Sequence, residues 1–301
     1  MYGDLWSFWY DGLPKGTVKW GVRVTDLGTE PSRPVVMGSH YDIAVIADGG
    51  WSELRTRYFS AARPEYAGYV AWRFRVSAAD VQGFEAFGEY ANEHYRTIFL
   101  PVAQNDGGDF VMGGTVMSVP AQDLPAHAPA DAPVNRQASS DGSAAASIQP
   151  ASSASVSLSN FMSFFRAKFG HHARGELLRV MEIAATRGKI TPLPQHEFAA
   201  ECVVKGRLLL VGDAAHMASP RTAAGAHTAV LDATELFRIF STVSRTLPQG
   251  SSLSPGDIDR ALALYAPLGA GRAAALLARS HQVSAEVVPA GWRRKQPQGD
   301  L

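Results

Sequence analysis

The chain has 301 residues, 46% of them apolar, with 28 basic side chains against 28 acidic ones. That is enough apolar material for a substantial core in one or two domains, and the balanced charge excludes a global field that would favour nucleic acid or an anionic membrane. A single cysteine, Cys202, excludes an internal disulfide framework and a multi-cysteine zinc site; it fits a reducing compartment, with the cytoplasm as the expected location and no metal expected.

Met1 is followed by Tyr2, Gly3 and Asp4, without the basic and apolar regions of a signal peptide, and no apolar run reaches spanning length. Asp4 is placed to cap a helix in which Leu5, Phe8, Trp9 and Leu13 share one face, closed by Gly12 and Pro14. Val18, Trp20, Val22 and Val24 alternate as a strand. A second strand, Ile43 to Ala47, ends in Asp48-Gly49, with Ser52 and Arg55 at the start of the next helix. A carboxylate, a flexible turn and a guanidinium at one sheet edge are groups that recognise a pyrophosphate, directly or through water. Asp-Gly turns are also common as plain structural turns. No G-x-G-x-x-G turn precedes this strand.

From Tyr69 to Val76, residues Val70, Trp72, Phe74 and Val76 alternate with Ala71, Arg73 and Arg75, as in a half-buried strand. Ile98 to Leu100 and Phe110 to Met117 read as further strands, with hairpin chemistry at Asn105-Asp106-Gly107-Gly108. Residues 121–160 are rich in Ala, Ser and Pro and hold no aromatic residue, which predicts a disordered surface insertion. Phe161, Phe164, Phe165 and Phe169 form a stripe on the helix that follows, a pattern of core packing. Pro192 and Pro194 then redirect the chain.

Leu208 to Val211 is a continuous apolar run, as in a strand buried on both faces of a parallel sheet. Gly212 at its end allows close approach of backbone or ligand, and Asp213 places a carboxylate where a polyhydroxylated ligand can donate to it. Ser219-Pro220 turns the chain. Thr222 is the predicted N-cap of a helix carrying Val230, Leu231, Leu236, Phe237 and Phe240. Its small first turn, Ala223 to Ala226, offers free N–H groups to an anion or an electron-rich carbonyl. Ser254, Pro255 and Asp257 read as N-cap, N1 and N3 of a helix through Tyr265, and a second helix is predicted from Pro267 to Val288.

The segment GDAAH with Pro220, Gly225 and the Asp232-Ala233 pair, preceded by the Asp48-Gly49 block, resembles the FAD motifs of the single-component aromatic hydroxylases, the para-hydroxybenzoate hydroxylase-like flavoprotein monooxygenases. The chain departs from that pattern with Thr222-Ala223-Ala224-Gly225 in place of Gly-Gly-Gln-Gly, and with His227 where Asn is common. The resemblance implies an α/β fold: an incomplete FAD-binding Rossmann-like domain interleaved with an antiparallel-sheet substrate domain. Its segments would be residues 1–60 and 196–240 for FAD, 61–195 for substrate and 241–301 for C-terminal helices.

It further implies FAD as cofactor and NAD(P)H as co-substrate, with a small aromatic or heteroaromatic compound and molecular oxygen as partners and room for a homodimer. Gly212, Asp213, Pro220, Ala224, Gly225, Asp48 and Arg55 would hold the cofactor. Arg73, His94 and Tyr95 are the polar candidates for substrate contact, because a phenolic substrate reacts more readily as its anion. No catalytic base is assigned, since in flavin chemistry the cofactor carries the redox step. The absent glycine-rich turn makes an inactive, shortened enzyme one expectation, and a non-catalytic remnant serving as a binding or interaction module the alternative. A different nucleotide-binding α/β enzyme is disfavoured by the ordered pair of motifs.

Overall fold

The computed structural model describes residues 2–28, 30, 32–81, 88–91, 95–102, 110–118, 163, 166–167, 175–187, 190–248 and 250–288. In chain order the regular elements are α1 (Tyr2–Asp11), β1 (Val35–Val36), β2 (Ser39–His40), β3 (Ala44–Ile46), α2 (Glu53–Tyr58), β4 (Glu65–Ser77), β5 (Gly88–Ala91), β6 (Tyr95–Val102) and β7 (Phe110–Ser118). There follow α3 (Gly175–Thr186), β8 (Ile190–Ala199), β9 (Val204–Lys205), β10 (Leu208–Leu210), β11 (His216–Met217), α4 (Gly225–Arg245) and α5 (Pro255–Ala285). The chain divides into two compact units, residues 1–23 with 69–194 and residues 24–68 with 195–301. The strands β4 and β8 each start in one unit and end in the other.

In the first unit, β4 pairs antiparallel with β7, β7 with β6 and β6 with β5. The predicted alternation holds in β4, where Val70, Trp72, Phe74 and Val76 are buried while Arg73 is exposed. Gly113 lies opposite Phe74 because only a hydrogen there leaves room for the ring: a Cβ would come within 2.2 Å of it. In α3, Val180, Met181, Ala184 and Ala185 form the buried stripe at helical spacing. Arg187, just past its end, forms a bidentate ion pair with Asp80.

The first twenty residues differ from the expectation in two ways. Helix α1 begins at Tyr2, so Asp4 lies within it and is not its cap, and Phe8 and Trp9 are largely exposed (70% and 59%). Residues 18–24 form no strand, because among the described residues their alternation meets no neighbouring strand to pair with. Trp20 instead stands against α1, its indole N–H donating to the Tyr10 hydroxyl at 3.2 Å and its ring beside those of Trp6 and Tyr10. The hairpin at 105–108, the segment 121–160, His94 and the phenylalanine stripe lie outside the described residues.

The second unit is built on a three-stranded sheet in the order β3-β10-β9, with β3 and β10 parallel. Leu208, Leu209 and Leu210 are all fully buried, which is why this strand reads as an unbroken apolar run. Their core includes Ala44, Ile46, Leu54, Val203, Ile239, Val243, Ile258, Leu262 and Tyr265. Pro192 and Pro194 sit within β8 rather than at a bend.

Helix α5 opens on the predicted capping box, with Ser254 accepting from the Asp257 amide and Asp257 from the Ser254 amide. It then runs as one helix of 31 residues through Pro267, where two helices were expected. Proline removes one backbone donor, but buried residues on both sides, Ala261, Leu262 and Tyr265 before it and Ala273 and Leu276 after it, hold the two turns in line. By length and composition this helix, with mean hydropathy 1.4 over 18 residues, is long and apolar enough to cross a bilayer, contrary to the expectation that nothing in the chain is. Its buried face packs into the core of the unit.

Candidate functional site

The parallel pairing sets the site. Leu210 lies opposite Ile46, and the Val211 amide extends the ladder by donating to the Ile46 carbonyl at 3.1 Å. Two residues beyond these partners come Asp48 and Gly212, so both predicted motifs leave the sheet side by side at the C-terminal ends of their strands. Gly49 takes φ +93 and Gly212 φ +58, left-handed conformations that favour glycine. Gly50 lets the first turn approach β11 closely, since a Cβ there would meet the Met217 sulfur at 2.4 Å.

Ser52 caps α2, its hydroxyl accepting from the Arg55 amide at 2.9 Å. Asp48 is exposed. Arg55 is 1% exposed: its Nη1 donates to the Ala214 carbonyl at 3.1 Å, and its guanidinium lies 4.1 Å from the centre of the Phe198 ring. Burial lowers its pKa against the charge of Asp48. The guanidinium thus braces the Gly212–Ala215 turn from beneath.

Asp213 points outward from that turn, and burial of its surroundings raises its pKa while the charge of His216 opposes the rise. A Cβ on Gly225 would lie 3.9 Å from Asp213 Oδ1, which puts the carboxylate beside the first turn of α4. That helix starts at Gly225, three residues after the predicted cap, because Ala223 is left-handed (φ +50) and breaks the run. Thr222 belongs to a short 3-10 turn, where its hydroxyl donates to the Ser219 carbonyl and accepts from the Ala224 amide. Ala224 is the N-cap and supplies no side-chain bond, so the first amides of a 21-residue helix are left to other acceptors. On the same helix Val230, Leu231 and Phe237 are exposed, while Thr228, Asp232, Ile239 and Val243 are buried.

Pro220 sits on a turn anchored to α5. The Ser219 amide donates to Ser280 Oγ at 2.7 Å, and Ser280 and Ser284 both donate to the buried Glu197 carboxylate at 2.7 Å. Arg221 reaches the Val283 carbonyl and Glu286. The structure therefore brings Gly212, Asp213, Pro220, Ala224, Gly225, Asp48 and Arg55 together in one unit. Arg73 and Tyr95 belong to the other unit, Arg73 on β4 opposite Gly114 and Tyr95 on β6 opposite Met117.

Sequence reasoning missed a buried polar cluster behind the turn. Asp232, 1% exposed, accepts from the Gly212 amide (2.9 Å) and His216 Nε2 (2.7 Å) at one oxygen and from Arg272 Nε (2.9 Å) at the other. Burial pushes the Asp232 carboxyl up, but the hydrogen bonds from His216, Gly212 and Arg272 and the His216 charge bring it below the usual range. Tyr265, beside Arg272, has its phenol pushed up by burial and by Asp232. Asp232 and His216 stood inside the quoted motif, whereas Arg272 carries no signal in an alanine-rich helix. Among the described residues no group of His, Cys, Asp and Glu could hold a metal ion.

Residues 171–253 match the family model of the FAD binding domain. The fold is similar to that of a salicylate hydroxylase in complex with substrate (TM-score 0.67, 21% identity, 97% of this chain and 68% of that one). It is also similar to HpxO of Klebsiella pneumoniae complexed with FAD and uric acid (TM-score 0.62, 19% identity, 94% of this chain). A third is the 2,6-dihydroxypyridine-3-hydroxylase of Arthrobacter nicotinovorans (TM-score 0.61, 18% identity, 92% of this chain and 70% of that one). The chain spans 61% of the length of HpxO. The resemblance read from the two motifs is thus borne out, and the chain carries an FAD binding domain segment on the α/β fold of the FAD-dependent aromatic hydroxylases.

Proposed function

We propose that the protein is a FAD-dependent, NAD(P)H-using monooxygenase that hydroxylates a small aromatic or heteroaromatic compound. The observation that carries this reading is the parallel register of β3 and β10, which delivers Asp48 and Asp213 to one sheet edge beside the uncapped start of α4. These residues fit the cofactor. Gly212 lets its turn pack against Ala229 of α4, Gly225 keeps the space beside Asp213 free of a side chain, and the Asp213 carboxylate makes no hydrogen bond among the described residues, so its acceptor capacity is open to ribityl hydroxyls. When bound, FAD supplies the redox and oxygen chemistry.

The protein's own part is to bind and orient. Asp213 accepts from the hydroxylated chain. The α4 amides would offer partial positive charge to the ring system of a bound cofactor. Pro220 and Ala224 shape the floor beside that ring. Asp48 serves the pyrophosphate side through water, and Arg55 supports that side by holding the turn rather than by exposure. Arg73, His94 and Tyr95 are assigned to the substrate, with oxygen as second substrate, a homodimer as assembly and the cytoplasm as location.

The test is titration of the protein and of Asp213→Ala with FAD, followed by flavin fluorescence. Hydrogen bonds to a charged group contribute about 1.5–3 kcal/mol, so the variant should bind on the order of ten- to a hundredfold more weakly with its fold intact. Equal affinity in the two proteins would remove Asp213 from the site, and no binding by either would remove the cofactor assignment.

A further inference from the structure

We propose that His216 and Asp232 are positioning residues that lock the Gly212–Asp213 turn before any ligand arrives, so that Asp213 meets its ligand already oriented. The lock deepens the cofactor reading of Asp213 and rests on it for its purpose, though not for its existence.

The argument starts from a backbone group. The parallel ladder ends at Val211, so the amide of Gly212 has no strand partner. A buried amide left unpaired is costly, and the acceptor comes instead from Asp232 on α4. A carboxylate that deep stays ionised only if its own oxygens are matched. His216 Nε2 on β11 and Arg272 Nε on α5 supply the two further donors. With Asp232 ionised, a proton on Nε2 lies between the two side chains, while Nδ1 is buried and without a partner among the described residues. His216 is itself fixed by the pairing of β11 with Ala199 on β8.

The rest of the turn is tied just as closely. The Ala215 amide donates to the Gly212 carbonyl at 2.8 Å, and Arg55 holds the Ala214 carbonyl. What remains with unused acceptor capacity is the side chain of Asp213. Three separate elements, β11, α4 and α5, meet at the Asp232 carboxylate that holds the amide next to it. This is an arrangement for holding a carboxylate still, which lowers the ordering cost of binding.

Amide hydrogen exchange by NMR on the full ligand-free chain tests the lock, with Gly212 read against Leu210, whose amide donates to Val203 in the same sheet. Asp232→Ala and His216→Ala should speed exchange at Gly212 by on the order of ten- to a hundredfold and leave Leu210 within about twofold. His216→Gln, whose amide can still donate to Asp232, should recover most of the protection. If the alanine variants do not fold, Asp232→Asn decides, because it keeps an acceptor but loses the charge, and Gly212 should then exchange about tenfold faster. Unchanged exchange at Gly212, or Gly212 and Leu210 accelerating together, would overturn the lock. FAD titration of the same proteins separates the two ideas. Loosened Gly212 with no FAD bound by the wild type sinks the cofactor reading and leaves the lock standing. Loosened Gly212 with FAD affinity equal to wild type overturns the orienting role.

Discussion

Replacing Gly212 by alanine isolates the strain the site depends on. The residue is buried at φ +58, where an L-residue costs roughly 1–2 kcal/mol. An added Cβ would also lie 3.3 Å from the Cβ of Ala229 on α4. Neither methyl can rotate away, so β10 and α4 must part by a few tenths of an ångström, at about 1 kcal/mol, the low end of overpacking costs. Together these give about 2–3 kcal/mol, or a fall in thermal midpoint of roughly 5–10 °C for a unit of this size. Calorimetry measures it, and Ala229→Gly in the Gly212→Ala background should return almost nothing, because relief of the contact, about 1 kcal/mol, is offset by the similar cost of glycine inside α4. A Gly212→Ala protein that melts with the wild type would mean that the turn is not held as described.

Other outcomes follow from the same contacts. Ser254→Ala removes the capping box of α5 and should cost about 0.5–2 kcal/mol in chemical denaturation, with no change in any ligand binding. The native pKa of Asp232 lies below its unfolded value of about 3.9, so its contribution is complete above that pH and is lost as pH falls from there through the native pKa. Melting curves should therefore drop on the acid side, and Asp232→Asn should be less stable at pH 7 but show a shallower acid decline. Asp213 has the opposite sign: burial raises its native pKa, so its ionised form is a penalty above that pH and absent in acid. Asp213→Asn should raise the thermal midpoint slightly at pH 7 and leave it unchanged at acid pH, even as it weakens FAD; a fall at pH 7 would contradict the upward direction of the shift.

What was legible in the sequence was what one element determines alone. Leu208 to Val211 read as a buried strand because no polar residue interrupts it; Ile43 to Ala47, read the same way, is a strand covered on one face only, with Val45 54% exposed, and both end where the motifs begin. The Ser254 box read correctly because a capping box is complete within four residues. The failures are those decided by neighbours. Val18 to Val24 alternates without a strand to pair with, and Pro267 looked like a stop until packing on both sides carried the helix past it. On α4 the buried positions include Thr228 and Asp232, since a polar network occupies the place an apolar stripe would fill, and Phe237 is 74% exposed. Arg272 meets Asp232 across 40 residues, a distance over which no local pattern reaches.

The bond from Arg55 to Ala214 joins residues 159 apart in the chain, with the whole of residues 69–194 between them. At a synthesis rate of about 5–20 residues per second, β3 and its turn wait roughly ten to thirty seconds on the ribosome before β10 exists to pair with them. During that interval Ile46, Leu54 and the guanidinium of Arg55 have no core to enter. Closing so long a loop is a slow step, and the unpaired strand is a template for the wrong partner. The same order of events makes the site an all-or-nothing product of translation: a chain that stops short of β10 has one half of the turn pair and nothing to brace it against.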